Sequence, residues 1–273
     1  KTPVLRALAE RLLARGERVA ILSRVHGRTA TEDVRVEGPP WPEADRCGDE
    51  PLMLARSLPA AQVWVGRDRL ALAQLAGRCG ASVALLDDGF QHWRLGRDAD
   101  VVVVDEAVGL GNGHLLPRGP LREPPWALAR ASLLWVRVAD APVPVPWPAG
   151  VARVRARHAP REVMDPAGER HAPDVLRGRR VVGFAGLARP SAFRRTLEAL
   201  GAEVVGFGAY PDHHRFAPGE LGALQRQAAA AGAWLVTTEK DRMRCPESAP
   251  VHVLRLGVEV LEGEDLLEQV LLG

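Results

Sequence analysis

The sequence predicts an α/β protein in which a mostly parallel sheet lobe is joined to a second, smaller α/β lobe. Short apolar runs typical of buried strands alternate with helical stretches, and strands separated by helices pair in parallel through crossover connections. A proline-rich segment interrupts this alternation near the middle of the 273-residue chain. A chain of this length can form one large domain or two modest ones.

The elements before the proline-rich segment follow from the spacing of apolar residues. An opening helix has an apolar stripe that includes Leu5, Leu8 and Leu12, and Gly16 is suited to end it. A loop at 48–51 leads into an apolar helix at 52–58, and a further helix is predicted at 67–79. Apolar runs of strand length predict strands at 18–22, 62–65, 83–86, 100–104 and 133–138.

The prolines of 141–150 mark a domain boundary, because proline cannot donate to a central ladder and favours extended linkers. A strand at 151–157 then opens a second α/β series. Its predicted strands and helices are 180–184, 191–200, 203–207, 218–231, 233–237, 251–256 and 264–272. We therefore predict a first lobe at 1–140, a hinge at 141–157, a second lobe at 158–260, and a C-terminal helix within 261–273 that packs back on the first lobe. Two such lobes leave a cleft suited to a ligand.

Composition excludes several classes of protein. Lys and Arg total 36 against 34 Asp and Glu, so no basic field indicates a nucleic-acid partner. Three well-separated cysteines predict neither a disulfide framework nor a metal site, and favour a reducing compartment. No apolar run reaches the length of a membrane-spanning helix. The chain starts without methionine or a signal-peptide h-region, so we expect a longer gene product with further residues upstream.

Lysine is confined to two positions. Only Lys1 and Lys240 occur, so the other 34 basic residues are arginine. An ammonium is a compact point charge that a guanidinium fork imitates poorly, which makes both lysines candidate site residues, although two retained lysines are also compatible with chance.

The strongest motif ends a predicted strand in two acids, Asp87 and Asp88, followed by Gly-Phe-Gln-His. Ligands of α/β proteins bind at the carboxyl edge of the sheet, and carboxylates there suit Mg²⁺ with substrate phosphates. The alternative is that one acid caps the following turn. Lys1-Thr2 ahead of a helix fits the end of a phosphate-binding loop, G-x-x-x-x-G-K-[ST], whose glycines are not in this sequence. We expect the sequence as given to bind ATP poorly.

Further polar groups have both a functional and a structural interpretation. Asp49 is either a general base or an acid that favours a helix N-terminus. The loop 211–216, with His213 and His214, suits proton handling or substrate contact better than zinc. Arg122 and Glu123 can reach a phosphate or its metal, or pair on the surface.

Two other polar segments are weaker signals. The glycines of 109–113 favour a flexible loop, since G-x-G-x-x-G spacing and a following helix are absent from the pattern. The segment 237–241 ends a predicted strand, and its structural interpretation is a helix start capped by Thr237 or Thr238.

Taken in order, these segments resemble the tetraacyldisaccharide 4′-kinases, the lipid A 4′-kinases of Gram-negative bacteria. The resemblance spans essentially the whole chain. It is carried by Lys1-Thr2-Pro3, Leu22-Ser23-Arg24, Gly48-Asp49-Glu50-Pro51, Asp87-Asp88-Gly89-Phe90-Gln91-His92, Gly111-Asn112-Gly113, Leu121-Arg122-Glu123-Pro124, Phe184-Ala185-Gly186, Pro211-Asp212-His213-His214 and Thr237-Thr238-Glu239-Lys240-Asp241. The Asp-Asp-Gly-Phe-Gln-His and Leu-Arg-Glu-Pro strings are the specific ones. One departure is that Val25 and His26 stand where the family usually has Gly-Tyr.

The resemblance implies a P-loop kinase with a nucleotide-binding lobe at 1–140, a second lobe and a two-stranded hinge. It implies transfer of the γ-phosphate of ATP, with Mg²⁺, to the 4′-hydroxyl of a lipid disaccharide 1-phosphate. The expected setting is peripheral attachment, through an upstream helix, to the cytoplasmic face of the bacterial inner membrane. The alternatives are a P-loop kinase or NTPase acting on a soluble small molecule, and a nucleotide-binding regulatory module.

By resemblance, Asp49 is the base towards the acceptor hydroxyl, with His213 as its partner and His214 as the alternative. Because these residues lie on different lobes, we expect the cleft to close before reaction. The implied roles of the others form three groups: ATP and phosphate binding by Lys1, Thr2 and Arg122; metal binding by Thr2, Asp87, Asp88 and Glu123; and substrate or supporting contacts by Arg24, Gln91, His92, Asn112, His214 and Lys240.

Overall fold

The computed structural model describes residues 1–24 and 32–272, which contain twelve strands and eight α-helices. The strands are β1 (Val19–Ser23), β2 (Val34–Arg35), β3 (Gln62–Val65), β4 (Val83–Leu86), β5 (Val101–Asp105), β6 (Leu133–Arg137), β7 (Ala152–Met164), β8 (Arg170–His171), β9 (Arg180–Gly186), β10 (Glu203–Tyr210), β11 (Trp234–Thr238) and β12 (His252–Glu262). The helices are α1 (Thr2–Ala14), α2 (Ala44–Cys47), α3 (Asp49–Ser57), α4 (Arg69–Arg78), α5 (Pro190–Ala199), α6 (Pro218–Ala230), α7 (Glu239–Arg242) and α8 (Glu264–Leu272).

Two sheets organise these elements, and most strand pairs are parallel. The smaller sheet has the order β2-β3-β1-β4, with only β2 antiparallel to its neighbour. The larger has the order β10-β9-β11-β12-β7-β6-β5, with β8 added to β7. Its pairs are parallel except those that β7 forms with β12 and β8. The mostly parallel α/β class predicted from the sequence is confirmed.

A long antiparallel pair, β7 with β12, connects the two halves of the larger sheet. Its register runs from Arg155 opposite Glu262 to Met164 opposite Val253. Residues 141–150 contain neither helix nor strand, whereas β7 begins inside the predicted 141–157 hinge. Burial alternates there, since Val154 is buried while its neighbours in sequence are exposed, as a pleated strand with one packed face requires. We propose that this pair is the hinge between the lobes.

The helices of the first lobe cover the smaller sheet. One apolar cluster joins α1, β1 and α3 through residues such as Leu5, Ile21 and Leu54. A second cluster brings α8 against α1, where Leu267 is fully buried near Leu8 and Trp135 of β6. The C-terminal helix therefore packs against α1 and β6.

Two local differences from the sequence prediction have physical reasons. The predicted loop at 48–51 was wrong, because α3 begins at Asp49 with Gly48 as its N-cap, and Pro51 is tolerated within a first helical turn. Strand β12 continues beyond the predicted 251–256 because β7 pairs with its whole length. A short helix, α7, follows β11, and Thr238 caps it, which is the structural alternative given for this segment. In the described ranges, no helix is both long and apolar enough to span a bilayer.

Candidate active site

Polar side chains gather at the carboxyl edge of the smaller sheet. Ser23 ends β1, Asp87 and Asp88 follow β4, and Lys1 and Thr2 open α1. Asp88 has a positive φ of 55°, a strained conformation for a residue other than glycine. Asp87 donates its backbone N–H to Leu22 of β1, which continues the sheet to this turn. A cavity of about 1060 Å³ opens here and extends between β4 and β5.

Two cations hold the carboxylate of Asp88. The Nζ of Lys1 lies 2.5 Å from Oδ1, and Nη1 of Arg122 lies 2.6 Å from Oδ2. Burial acts to raise the pKa of Asp88, but the hydrogen bonds from Lys1 and Arg122 outweigh it and lower that pKa. The side chains of Lys1 and Arg122 are 61% and 55% exposed, so both cations also face solvent.

Asp87 lies deeper than Asp88 and has fewer cationic contacts. Its Oδ2 accepts a hydrogen bond of 3.1 Å from Ser23 Oγ. Burial, reinforced by the negative charge of nearby Glu50, raises the pKa of Asp87. A desolvated carboxylate beside a second acid is stabilised by a cation.

The hydroxyl of Thr2 is oriented by Glu50, the second residue of α3. Thr2 Oγ1 donates to Glu50 Oε2 at 2.7 Å, which leaves the hydroxyl lone pairs available to another partner. Thr2, Asp87 and Asp88 together present hard oxygen donors, the type that Mg²⁺ prefers. The donor set therefore fits a divalent cation.

Gln91 and Glu123 meet beside this cluster. Gln91 Nε2 donates to Glu123 Oε1 at 2.8 Å, and Arg130 lies 2.8 Å from Glu123 Oε2. The hydrogen bond from Arg130 lowers the pKa of Glu123. The Arg130 guanidinium also lies over the rings of Phe90 and Trp93, at 4.6 and 4.5 Å. This packing fixes the loop that carries Gln91.

A second cluster connects the two lobes around Asp49. The Nδ1 of His213, in the loop after β10, lies 3.3 Å from Asp49 Oδ2. His213 is 63% exposed and has a positive φ of 61°. Residues 49 and 213 are 164 positions apart, so only the folded arrangement brings this acid and this imidazole together.

Lys240 lies on the other side of the imidazole. Its Nζ lies 3.1 Å from Asp212 Oδ1 and 3.3 Å from His213 Nε2. A neutral imidazole has one donor and one acceptor nitrogen. If Nε2 accepts from Lys240, Nδ1 carries the proton and donates it to Asp49. In this tautomer Lys240 donates to Nε2 and Asp49 accepts from Nδ1, whereas Arg244 Nη2, 3.1 Å from Nδ1, is a second donor that does not bond the protonated nitrogen.

The second cluster also contains an arginine that sequence reasoning missed. Arg244 follows α7, its side chain is only 4% exposed, and its Nε and Nη2 lie 2.7 and 2.6 Å from Asp49 Oδ2. The sequence also gave no role to Glu50. The position of Glu50 next to Asp49 could have indicated a functional role for it. The position of Arg244 four residues after Lys240 could have done the same for Arg244.

Among the described residues, four predicted ones form no hydrogen bond or ion pair with the side chains of either cluster. His214 pairs with Glu220 at 2.9 Å and stacks on Tyr210, with ring centroids 4.7 Å apart. Asn112 donates to Arg118 O within its own glycine-containing loop. Arg24 follows β1 and is exposed, and His92 donates its backbone N–H to Gly89 within the turn after Asp88.

One predicted departure lies outside the described residues. Val25 and His26, which stand where the family usually has Gly-Tyr, fall in the range 25–31.

The family described as "Tetraacyldisaccharide-1-P 4'-kinase" matches residues 1–272. The chain belongs to the tetraacyldisaccharide 4′-kinase family. It is 50% identical to the tetraacyldisaccharide 4′-kinase of Anaeromyxobacter dehalogenans (strain 2CP-C) over 293 residues, covering 99% of this chain and 77% of the relative. The corresponding protein of Rhodospirillum centenum is 42% identical over 277 residues, covering 99% and 78%.

A solved structure has the same fold. The "apo" form of LpxK from Aquifex aeolicus, in complex with ATP, matches with a TM-score of 0.80 and 28% identity. The match covers 99% of this chain and 84% of that one. Both polar clusters of this tetraacyldisaccharide 4′-kinase family member lie within the matched residues 1–272.

Proposed function

We propose that this chain transfers the γ-phosphoryl group of ATP to the 4′-hydroxyl of a tetraacyldisaccharide 1-phosphate in lipid A biosynthesis. The observation that best supports this proposal is the position of Asp49 and Glu50 at the start of α3. Asp49 contacts His213 of the second lobe, whereas Glu50 contacts Thr2 of the first cluster. A candidate base thus lies next to the phosphate-binding edge. Family membership supports the choice of substrates.

The first cluster is proposed as the ATP end of the site. Phosphoryl transfer depends mainly on positioning and on neutralising charge on the equatorial phosphate oxygens. Lys1 and Arg122 converge on Asp88 and remain more than half exposed, so both cations are accessible to an anionic ligand. We assign Lys1, Thr2 and Arg122 to the ATP phosphates.

The oxygen donors of the same edge are proposed to hold Mg²⁺. Thr2, Asp87 and Asp88 form the donor set, and Glu123 on the neighbouring loop is assigned as a further carboxylate. When bound there, the ion would neutralise charge on the β- and γ-phosphates. Ser23 orients Asp87 and Glu50 orients Thr2 through the hydrogen bonds described above.

The second cluster is proposed as the acceptor end. As the 4′-oxygen forms its bond to the γ-phosphorus, the bond to the β-phosphate oxygen breaks, ADP leaves, and the hydroxyl proton passes to Asp49. His213, by donating Nδ1–H to Oδ2, holds this carboxylate in place. The position of His214 against Glu220 and Tyr210 favours His213 as the partner.

Contact across the lobes supports a closed reacting state. Asp49 belongs to the first lobe, whereas His213 and Arg244 belong to the second. Separation of the lobes at the β7–β12 hinge would break these contacts and expose the γ-phosphate to water. We propose that the hinge opens for substrate entry and closes for transfer.

Peripheral attachment to the cytoplasmic face of the bacterial inner membrane is proposed for the same reaction, since the acyl chains of the acceptor reside in a bilayer. Large exposed apolar side chains support it: Trp93, Leu116 and Trp126 are 66%, 63% and 72% exposed. They belong to the loops that also carry Gln91, Arg122 and Glu123. Tryptophan is suited to the interface between headgroups and acyl chains.

Flotation with anionic vesicles tests this membrane surface. Flotation should weaken when Trp126 is changed to Ser, and unchanged flotation would exclude these side chains as the membrane contact.

The kinase reaction can be tested with the full-length protein that contains this chain. The assay supplies ATP labelled at the γ-phosphate, Mg²⁺ and detergent-dispersed tetraacyldisaccharide 1-phosphate. We expect label in the lipid, a loss of kcat of about 10²–10⁴-fold for Asp49→Asn, and little change in the KM for ATP. Asp174→Asn, the same change at an exposed residue of the second lobe, is the control and should behave like the parent protein.

Two outcomes would contradict the proposal. Label that remains in ATP, or appears only as free phosphate although ATP and lipid both bind, would favour a soluble acceptor or a regulatory NTPase. Full turnover by Asp49→Asn would remove Asp49 from the role of base.

A further inference from the structure

Arg244 is a buried guanidinium that contacts the candidate base from the opposite lobe. Its side chain is 4% exposed, compared with 17% for Asp49. Nε and Nη2 lie 2.7 and 2.6 Å from the same oxygen, Asp49 Oδ2, and Nη2 also lies 3.1 Å from His213 Nδ1. A buried arginine needs carboxylate partners, and Asp49 is the carboxylate that two of its nitrogens approach most closely.

The guanidinium is anchored within its own lobe. Nη1 lies 3.4 Å from Asp241 Oδ1 and donates to Gly186 O at 3.4 Å. Asp241 is fully buried and accepts a hydrogen bond of 2.7 Å from Thr238 Oγ1. Arg244 therefore has a fixed position relative to β9 and α7 before it meets Asp49.

The contacts of Asp49 are asymmetric between its two oxygens. Both Arg244 and His213 approach Oδ2, and within residues 1–24 and 32–272 no side chain or backbone donor bonds Oδ1. A carboxylate held by several donors at one oxygen cannot rotate without breaking them. Its other oxygen is then presented in a single direction, which is what proton acceptance from a bound hydroxyl requires.

We propose that Arg244 is a positioning residue for the transfer reaction: by clamping Oδ2 of Asp49 when the lobes meet, it presents Oδ1 to the acceptor hydroxyl. This inference rests on the proposed function of Asp49 as base. The other charged groups around the pair are His213, Lys240, Asp212 and Asp241 from the second lobe, with Glu50 on α3. Within the described residues, His213 is the one of these groups that bonds Asp49 in addition to Arg244.

The test compares Arg244→Gln, Arg244→Lys and a matched control, Arg242→Gln. Arg242 ends α7, two residues before Arg244, but its guanidinium bonds the carbonyls of Cys245, Pro246 and Glu247 and does not reach Asp49. All variants are made in the full-length protein, and kcat, KM for ATP and melting temperature are measured for each.

We expect Arg244→Gln to lower kcat by about 10–100-fold while the KM for ATP changes less than about threefold, since misplacement of a reacting group acts on the chemical step. Arg244→Lys should recover part of kcat, because an ammonium retains the charge but not both contacts. Arg242→Gln should retain kcat even where its melting temperature falls. In the Asp49→Asn background, Arg244→Gln should cause no further loss of kcat.

Each contrary result overturns one part of the argument. If Arg244→Gln retains kcat while Asp49→Asn loses it, Arg244 does not position the base, although the proposed function stands. If Arg242→Gln loses kcat to the same extent, or the double variant shows additive losses, the effect of Arg244 is structural. If Asp49→Asn itself retains kcat, the proposed role of Asp49 fails first.

Discussion

Glu239 is the centre of a buried ion network that joins helix α1 to the second lobe, and its removal should destabilise the whole chain. Arg6, 3% exposed, donates to both of its oxygens at 2.8 and 2.9 Å, and Arg255 Nε lies 2.7 Å from Oε1. Glu239→Ala would leave two buried guanidinium groups without this partner. Breaking a buried pair costs about 3–5 kcal/mol.

The lower end of that range applies here. Arg6 also donates to the carbonyl of Leu256, and Arg255 retains an ion pair with Glu162, so neither cation is left without a partner. We therefore expect a loss of about 3 kcal/mol in the free energy of unfolding. For a chain of this size, that corresponds to a fall of about 6–12 °C in the melting temperature.

Thermal and urea unfolding of Glu239→Ala, with Glu259→Ala as the control, would measure this effect. Glu259 pairs with Arg157, but both side chains are about half exposed, at 47% and 57%, so its loss should cost less than about 1 kcal/mol. Equal stabilities of the two variants would refute the reasoning, because they would mean that burial adds nothing to the Glu239 network.

Two further predictions concern stability. Leu267→Ala should cost about 2–5 kcal/mol in urea unfolding, since Leu267 is fully buried between α8 and the first lobe, whereas Leu261→Ala, at a residue 43% exposed, should cost far less. Burial, together with the charge of Arg137, lowers the pKa of His158 to about 4 from 6.5, so the unfolded chain binds more protons between these values. Stability should therefore fall as the pH decreases from 6.5 towards 4, and His158→Gln should reduce this dependence; an unchanged slope would exclude His158 as its source.

The fold was predictable where burial is continuous along the chain. Strand β3 lies at its predicted residues, 62–65, because a strand covered on both faces needs an unbroken apolar run. The β7–β12 pair was harder to predict from the sequence. Arginine and glutamate alternate with apolar residues along it, and its length follows from the pairing of segments about 100 residues apart rather than from either segment alone.

Some residues of the candidate site could likewise be predicted from the sequence, and others could not. Scarcity drew attention to Lys1 and Lys240, and the structure places Lys1 beside Asp88 and Lys240 beside His213. Arg244 had no such signal, because 34 arginines make any single one uninformative and its partner lies 195 residues away. The roles assigned to these residues remain predictions.

The start of α3 explains how one helix serves both clusters. Consecutive helical residues differ by about 100° around the axis, so Asp49 and Glu50 face different neighbours. Glu50 meets Thr2 at the edge of the smaller sheet, and Asp49 meets Arg244 and His213 of the second lobe. Gly48, with a positive φ of 92°, permits the sharp entry into the helix that fixes this orientation. Since one rigid turn carries both acids, a shift of α3 on lobe closure would act on the phosphate cluster and on the base together.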